Sequence, residues 1–540
     1  MKKSKVVRLE DEAPKGGEEA IRAAAAAAEV VEFEDHQPGG AGRGGDDVTR
    51  KCAASALNDV GNGKRLIRRY GDRLIYVEGL GWLAWEGSRW SVEDGERRAQ
   101  QWAHWTARRI GDEAGVLAED GPLAGESTED FDKRVARRVG WACTSGMTPR
   151  IKGMLDQAQP YLTKAAADLD ARPWVFGCAN GALDLRDSDP DDRTVGGTWE
   201  FRPHRREDWL TMVSPVEYDP EAEAPRWRRF VAELMPDHEK AMFLQRWVGY
   251  VLTGDVSEQL LLLNYGTGSN GKSTFFDVLK ILLGGYAVGT PFETFTANDH
   301  RRGSEATPDL VRLVGRRAVM TSEPENGSRL GEGMIKRLTG GEVMVARQLN
   351  QPFIEFTPAF KLMLSFNQKP SVRGQDHGIW RRLALLGWDQ VFVDPWEADK
   401  FPGRPLKDKG LKEALQRELP GILNWCLEGF REWRKAGIAV PDTVRAATDE
   451  YRTDSNPLGQ FLDACTQRGG RTQAKTLYDA YCAWCRREAV DPLSSTAFGR
   501  RLSDMGVTKE KVGTVFWGVE ITDGDLLASH APRSGGGDDD

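Results

Sequence analysis

The sequence predicts an α/β protein whose central part is a three-layer domain around a largely parallel sheet. Strand and helix signals alternate between about residues 220 and 395, as they do where helices cover both faces of a parallel sheet. In the same region a leucine run at 260–263 leads into a glycine-rich loop and then into an amphipathic helix signal. Strand, loop and helix together are one repeating unit of such a domain.

Further folded segments are predicted on both sides of this core. Residues 62–215 combine short, tryptophan-rich strand signals with a helix signal, which predicts an α+β domain with the tryptophans in its core. Residues 396–444 are predicted to be a helical connector, and 445–525 carry signals for three helices followed by a short strand. Residues 1–61 and 526–540 are low in complexity and predict disorder.

Composition narrows the classes of protein to consider. The 540 residues are 40% hydrophobic, which is enough for several cores, and no apolar run reaches the length of a membrane span. The N-terminus lacks the apolar stretch of a secretory signal, and the seven cysteines are odd in number and mostly scattered. These features predict a cytoplasmic protein. Because the net charge is −8, any nucleic-acid partner must meet positive charge that is local or lines a channel.

Residues 266–274 satisfy the phosphate-binding pattern G-x-x-x-x-G-K-[ST] in full. A strand that turns through glycines into a helix aims backbone N–H groups and the positive end of the helix dipole at an anion. We therefore expect a nucleoside triphosphate as the ligand, with Lys272 on its β and γ phosphates and Ser273 holding Mg²⁺. The predicted nucleotide-binding residues are Gly266, Thr267, Gly268, Ser269, Asn270, Gly271, Lys272, Ser273 and Thr274.

A phosphate loop also needs an acidic group for Mg²⁺ and for the attacking water. An apolar strand signal runs from Arg317 to Thr321, and the carboxyl end of a parallel strand lies near the phosphate loop. Glu323, just beyond that strand, is therefore predicted to polarise the water or to hold the metal. Glu325 is the competing candidate, and a solvated acidic turn is the alternative for both.

Three further side chains are candidates for the reaction site. The strand signal at 360–366 ends in Asn367, whose amide is predicted to hydrogen-bond the γ-phosphate or the water, with simple capping as the alternative. Arg381 and Arg382 follow as a pair. An arginine supplied across a subunit boundary would stabilise charge on the transferred phosphoryl group, whereas a surface ion pair is the plain alternative for each.

Basic residues in two other places suggest contact with nucleic acid. Two strand-like arms around residues 348–352 predict a β-hairpin with Arg347 near its tip. Near the C-terminus, Arg500 and Arg501 lie on a predicted helix followed by a short strand pair, an arrangement that suits contact with DNA phosphates. Cys482 and Cys485 have no second pair at metal spacing, so core packing is predicted rather than zinc.

In this order the elements resemble the AAA+ core of a superfamily-three helicase. They resemble more specifically the phage and plasmid primase-helicase family related to the poxvirus primase-helicase. The likeness covers about residues 62–520, since the flanking parts are similar to the domain that precedes the helicase and to a C-terminal winged-helix region. The core matches are 266–274 (Walker A), 319–323 (Walker B), 336–341 with the hairpin that follows, 362–367 (third motif) and 380–382 (arginine finger).

The resemblance implies a hexameric ring with ATP between neighbouring subunits and with Arg382 or Arg381 reaching into the next site. It also implies that the hairpin lines a channel in which Arg347, Lys336 or Asn350 tracks single-stranded DNA. The expected function is an ATP-dependent DNA helicase for phage, prophage or plasmid replication in the cytoplasm of a bacterial host, without a membrane partner.

Three alternatives remain open at this stage. One is an origin-binding or loading factor that does not unwind DNA, and another is the helicase half of a system with a separately encoded primase. A small-molecule kinase is the third, because phosphate loops also occur there. Primase activity is not expected of this chain, because the segment before residue 62 is too short and too low in complexity for a polymerase-like domain.

Overall fold

The computed structural model describes residues 44–187, 195–296, 306–321, 328–349, 353–523 and 526. Most of the segment predicted to be disordered at the N-terminus lies outside these residues, as does most of the predicted C-terminal tail. Residues 44–53 nevertheless form a helix, so the folded part begins earlier than the predicted boundary at residue 62. Leu526 is buried in the C-terminal core.

The N-terminal region is a helical layer around a small mixed sheet, in strand order β3-β2-β1-β4. Trp82, Trp90 and Trp102 are buried, which confirms the prediction that the tryptophans of this region serve its core. Its elements are α1 Gly44–Ala53, α2 Asp59–Tyr70, β1 Leu74–Val77, β2 Gly81–Trp85, β3 Trp90–Ser91, α3 Gly95–Arg109, α4 Asp112–Asp120, α5 Thr128–Ser145, α6 Thr148–Leu162 and β4 Thr163–Lys164.

A second, three-stranded antiparallel sheet follows, and it belongs to the central core. Its strands are β5 Val175–Cys178, β6 Gly181–Asp187 and β7 Gly197–Arg202. Phe176 and Leu183 pack in the same hydrophobic cluster as Trp247 and Phe275 of the central region. The predicted domain boundary at residue 215 therefore does not separate two cores, because these strands bury their apolar face against the central helices.

The central sheet has five parallel strands in the order β14-β8-β13-β10-β9, which confirms the predicted α/β core with a parallel sheet. Its leucine-rich strands are buried between helices, as both faces of a parallel sheet require. The elements are α7 Pro225–Leu234, α8 His238–Val251, β8 Leu261–Tyr265, α9 Lys272–Leu283, β9 Ala287–Thr290, α10 Pro308–Val311, β10 Ala318–Thr321, α11 Glu332–Gly340, β11 Met344–Ala346, β12 Ile354–Phe356, β13 Lys361–Phe366, α12 His377–Trp380, β14 Leu383–Gly387, α13 Leu411–Arg417, α14 Leu419–Ala436 and α15 Asp442–Asp454.

Strands β11 and β12 pair in antiparallel register, Met344 opposite Phe356, which confirms the predicted hairpin. Short 3₁₀ helices lie between the helices and strands of the N-terminal and central regions. They lie at Ala166–Asp168, Arg206–Asp208, Gly284–Tyr286, Phe292–Phe295 and Pro395–Glu397.

The C-terminal region packs three helices on a three-stranded antiparallel sheet, order β15-β17-β16. Helix α15 instead belongs to the central core, where the Leu385 N–H donates to Thr448 Oγ1 at 3.0 Å, so the predicted boundary at residue 445 cuts through a helix of that core. Strand β15 was not predicted, because its polar sequence TQRGGRTQ resembles a loop. The elements are α16 Pro457–Cys465, β15 Thr466–Gln473, α17 Ala474–Arg487, α18 Ser495–Asp504, β16 Lys509–Val512 and β17 Thr514–Ile521.

Cys485 is buried and Cys482 partly buried on helix α17, in agreement with the packing role predicted for them. Within the described part of the chain there is no cluster of three or more His, Cys, Asp or Glu side chains that could hold a metal ion. In the same residues no helix is long and apolar enough to cross a membrane.

A buried ionic triad ties the helices of the N-terminal region together. Glu113 on α4 is fully buried and accepts hydrogen bonds from Arg65 Nε at 2.8 Å and from Arg138. The two arginines also donate to backbone carbonyls of residues 53–56. The carboxylate is therefore the counter-charge that the two buried guanidiniums share.

We expect Glu113→Ala to destabilise this region by about 3–5 kcal/mol, because it leaves two buried cations without their counter-charge. The free energy of local opening of α2 and α4, measured by native-state hydrogen exchange, checks this. Glu129→Ala is the matched control, since Glu129 and its partner Lys133 are 79% and 60% exposed and the pair should contribute little. Equal protection in both variants would contradict the structural role of the triad.

Candidate nucleotide-binding site

The phosphate loop joins the end of β8 to the start of α9, as predicted from its sequence. Two of its three glycines have positive φ angles, +107° at Gly268 and +75° at Gly271, which side chains with a Cβ rarely adopt. A Cβ at Gly271 would also lie 2.3 Å from Leu234 Cδ2. Gly271 of the pattern is therefore favoured by the backbone path and by the close packing of α7, and Gly268 by the backbone path alone.

Lys272 is the most constrained side chain of the loop. It is 5% exposed, and its Nζ donates hydrogen bonds to the carbonyl oxygens of Gly266 at 3.0 Å and Phe366 at 3.1 Å. A third contact, at 3.4 Å, reaches Asn367 Oδ1. The ammonium thus lies where the carboxyl ends of β8 and β13 meet, beside the loop that would hold phosphate.

Asn367 lies beside the loop because β13 is the direct neighbour of β8 in the sheet. Strand β10 lies on the other side of β13 and ends at Thr321, at the same edge of the sheet. Glu323 and Glu325 lie outside the described residues, so their predicted roles stay predictions.

A cavity of about 500 Å³ opens over the loop, a volume typical of sites for small ligands. One side is the phosphate loop with Asn367, and the other is an outer wall from α7 and residues 392–411. The lining residues are Arg226, Phe230, Glu233, Gly268, Ser269, Asn270, Gly271, Lys272, Ser273, Thr274, Asn367, Phe392, Asp394, Leu406, Lys407, Asp408, Lys409 and Leu411. Gly266 and Thr267, also predicted to bind the nucleotide, lie at the base of the loop and do not line the cavity.

The outer wall is the part of the site that sequence reasoning missed. Arg226 Nη2 lies 3.3 Å from an Asp408 carboxylate oxygen, which links α7 to the segment before α13. The Phe392 N–H donates to the Ser269 carbonyl at 2.7 Å and ties the wall to the phosphate loop. No motif marks these residues, and only the fold brings together segments that lie on either side of the loop in sequence.

Arg381 and Arg382 lie at the opposite edge of the sheet. They precede β14, whose Leu383 pairs with Leu261 at the start of β8, whereas the phosphate loop follows the end of β8. Both guanidiniums contact Gln259 Oε1, at 2.8 and 3.4 Å. Burial, followed by the charge of Arg381, lowers the pKa of Arg382. With a rise of about 3.3 Å per residue, β14 alone separates these arginines from the loop edge by about 16 Å. They therefore cannot reach the cavity of their own chain.

The residues predicted to contact DNA are spread over several surfaces. Lys336 Nζ on α11 is 2.9 Å from Asp376 Oδ1, so its charge is partly neutralised. The Arg347 guanidinium lies over the Phe353 ring at 4.7 Å; Arg347 directly follows β11 and Phe353 directly precedes β12. Asn350 lies outside the described residues.

The two arginines on helix α18 do not share one surface. Arg500 is exposed, whereas Arg501 is half-buried and faces charged side chains of the central core. Both are predicted from the sequence to contact DNA phosphates. Successive helical residues point about 100° apart, which is why the fold separates them.

Comparisons with known proteins find relatives of this chain among viral proteins. Residues 63–236 match the family described as D5 N terminal like, and residues 264–382 match a family described as one of unknown function. A protein of Acanthamoeba polyphaga mimivirus named as a candidate helicase is 29% identical over 313 residues, 55% of this chain and 31% of that protein. A candidate helicase of Frog virus 3 is 27% identical over 47% of this chain and 27% of its own length.

A protein of African swine fever virus named as a candidate primase is 22% identical over 62% of this chain and 35% of that protein. The chain thus spans about a third of the length of these curated relatives. Among solved structures, the C-terminal region of NrS-1 superposes on 56% of this chain and 77% of its own, with a TM-score of 0.36 and 12% identity. The D5 N-terminal-like match and the viral relatives together show that the chain is similar to the phage and viral primase-helicase family.

Proposed function

We propose that this chain is the ATP-driven motor of a replicative DNA helicase. The observation that carries the proposal is a divided site, with the phosphate loop and Asn367 at one edge of the sheet and Arg381 and Arg382 at the other. A site divided in this way becomes complete when two subunits meet head to tail, as they do in a closed ring. We propose a hexameric ring of the superfamily-three AAA+ type.

The proposed ligand of the cavity is ATP. The loop side offers backbone N–H groups, the N-terminus of α9 and the Lys272 ammonium, which together suit the triphosphate. The outer wall offers Phe230, Phe392 and Leu406, whose apolar surfaces suit the flat face of a nucleobase. Base and phosphates therefore have separate complementary surfaces within the same cavity.

Hydrolysis at this site would need Mg²⁺, and the donor set is compatible with it. Ser273 is exposed to the cavity in the first turn of α9, and Mg²⁺ in such sites takes few protein ligands besides phosphate oxygens and water. When bound, the metal would neutralise charge on the phosphates. Lys272 would hold the β and γ phosphates, and the Asn367 amide would orient the water or the γ-phosphate. Arg382 or Arg381 of a neighbouring subunit would stabilise the charge of the transition state.

The second candidate is an ATP-dependent loading factor that binds DNA without unwinding it. A loading factor would have the same divided site as a helicase, and would differ only in how the ring uses the free energy of ATP hydrolysis. ATP turnover with and without single-stranded DNA, together with strand displacement on a forked duplex, separates the two. DNA-stimulated turnover without displacement would favour the loading factor. Turnover that DNA does not change, with no displacement, would contradict both.

Lys272→Ala should lower ATP turnover by about a hundredfold or more, because it removes the charge that stabilises the phosphoryl group in the transition state. Steady-state phosphate release measures this effect. Lys280→Ala is the matched control, since Lys280 is an exposed lysine on the same helix that does not line the cavity. Wild-type turnover in Lys272→Ala would refute the site.

Mixing Arg382→Ala subunits with Lys272→Ala subunits should restore turnover that neither variant has alone. With equal amounts and random assembly, about a quarter of the interfaces in a head-to-tail ring would pair an intact loop with an intact arginine. ATPase activity measured across a range of mixing ratios tests this.

Each variant is also mixed with wild-type subunits, which shows whether one defective subunit inactivates a whole ring. A site shared between subunits would be contradicted if the mixtures with wild-type subunits kept ATPase activity in proportion to their wild-type content while the mixture of the two variants recovered none. The Arg381→Ala variant, treated in the same way, identifies which arginine acts.

A further inference from the structure

Three arginines from distant parts of the sequence converge where the central core meets the C-terminal region. Arg329 follows β10, Arg373 follows β13, and Arg501 lies on α18. The first two segments run side by side, with Arg329 opposite Ser371 in a parallel bridge. The Leu330 N–H donates to the Ser371 carbonyl at 3.0 Å, and the Ser371 N–H donates to the Ser328 carbonyl at 2.9 Å.

Burial shows which way these side chains point. Leu330 and Val372 are 1% exposed and belong to the core of the central sheet. Because side chains alternate along extended backbone, Arg329 and Arg373 share the opposite, outward side. Arg373 is exposed, whereas the Nε atom of Arg329 is shielded from solvent.

Arg501 completes the cluster from the C-terminal region. Burial is the main cause that lowers its pKa; Tyr481 and Glu332 act in the opposite direction, and the positive charges of Arg373 and Arg329 lower the pKa further. The guanidinium of Arg501 therefore lies within electrostatic range of the other two. One helix position earlier, Arg500 is exposed to solvent.

The cluster has too little negative charge of its own. Glu332 is the carboxylate among these groups, and its Oε1 already accepts the Gly374 N–H at 2.7 Å. Within the described residues none of the three guanidiniums has an ion-pair partner, and Arg329 Nε has no hydrogen-bond partner. Arginine stays protonated in proteins, so the like charges repel unless an anion lies between them.

We propose that Arg329, Arg373 and Arg501 together bind a phosphate group of the DNA backbone, in a site that the central core and the C-terminal region share. Guanidiniums bind phosphate oxygens through paired, charge-assisted hydrogen bonds, so several of them around one point suit this ligand. None of the three lines the nucleotide cavity. The inference rests on the proposed function, because it names where a DNA-driven motor would hold its strand.

A shared site has a consequence that separate DNA contacts lack. A phosphate held by residues of both regions would fix the C-terminal region relative to the segments that leave β10 and β13. Those strands end at the edge of the sheet that carries Lys272 and Asn367. Binding of DNA at this site would then affect the position of the segments next to the nucleotide cavity.

The test is binding of the full chain to a fluorescent single-stranded oligonucleotide, followed by anisotropy at several salt concentrations. Arg373→Ala should weaken binding about tenfold and reduce the slope of log K against log salt by about one, as expected for one lost phosphate contact. Arg373→Lys should recover part of the affinity, because it keeps the charge but not the paired hydrogen bonds. Since Arg373 is exposed, an unchanged thermal unfolding temperature should accompany the loss.

Arg486→Ala is the matched control, an exposed arginine of the C-terminal region on helix α17. The phosphate site would be contradicted, and the proposed function would stand, if Arg373→Ala kept its DNA affinity and salt slope. An equal loss of DNA affinity in Arg486→Ala would have the same meaning. A loss of ATP affinity with DNA affinity unchanged would assign the cluster to nucleotide phosphate and also overturn it. Wild-type protein that binds no single-stranded DNA would instead reject the proposed function itself.

Discussion

The position of one ammonium group organises the candidate site. Lys272 Nζ donates to the carbonyl oxygens that end β8 and β13, so the phosphate loop is held against two adjacent strands. This contact requires β13 to be the neighbour of β8, and the observed sheet order meets that requirement. The loop glycines, the packing of α7 and the location of Asn367 all follow from the same arrangement.

Cations also bind backbone carbonyls at the opposite edge of the sheet. Arg317, just before β10, donates to the carbonyls of Leu252 and Val175, and Lys361, at the start of β13, donates to the Thr253 carbonyl at 2.5 Å. Burial holds the pKa of Lys361 well below its usual range. Through Val175 this edge is joined to the small sheet β5–β7. The sheet is therefore anchored at both ends, at the edge with the phosphate loop and at the edge with Arg381 and Arg382.

Because these two edges of the sheet are separated, the phosphate loop and the paired arginines of one chain cannot meet. A single chain presents a phosphate loop at one edge and paired arginines at the other, about the length of a strand apart. Beyond the ends of β10 and β13, Arg329 lies opposite Ser371 in a parallel bridge. Nucleotide, neighbouring subunit and proposed DNA phosphate would each meet a different part of one sheet.

Local patterns in the sequence were enough to predict the parallel sheet, the hairpin and the helices that carry Lys272 and Arg501. They failed where a segment lacks its own pattern, as at β15, whose polar residues pair only because β17 lies beside them. They also misjudged the boundaries at residues 62, 215 and 445. Apolar residues on either side of those points are buried together, and burial is a property of the whole fold.

The sequence by itself determined the phosphate loop, because its glycines, lysine and serine are consecutive and their backbone path is local. Only the tertiary structure decided what surrounds it. The outer wall joins Arg226 to Asp408, the arginines that precede β14 lie at the far edge, and Arg501 is half-buried whereas Arg500 is exposed. These relations depend on which distant strands and helices pack together, and no run of neighbouring residues encodes that choice.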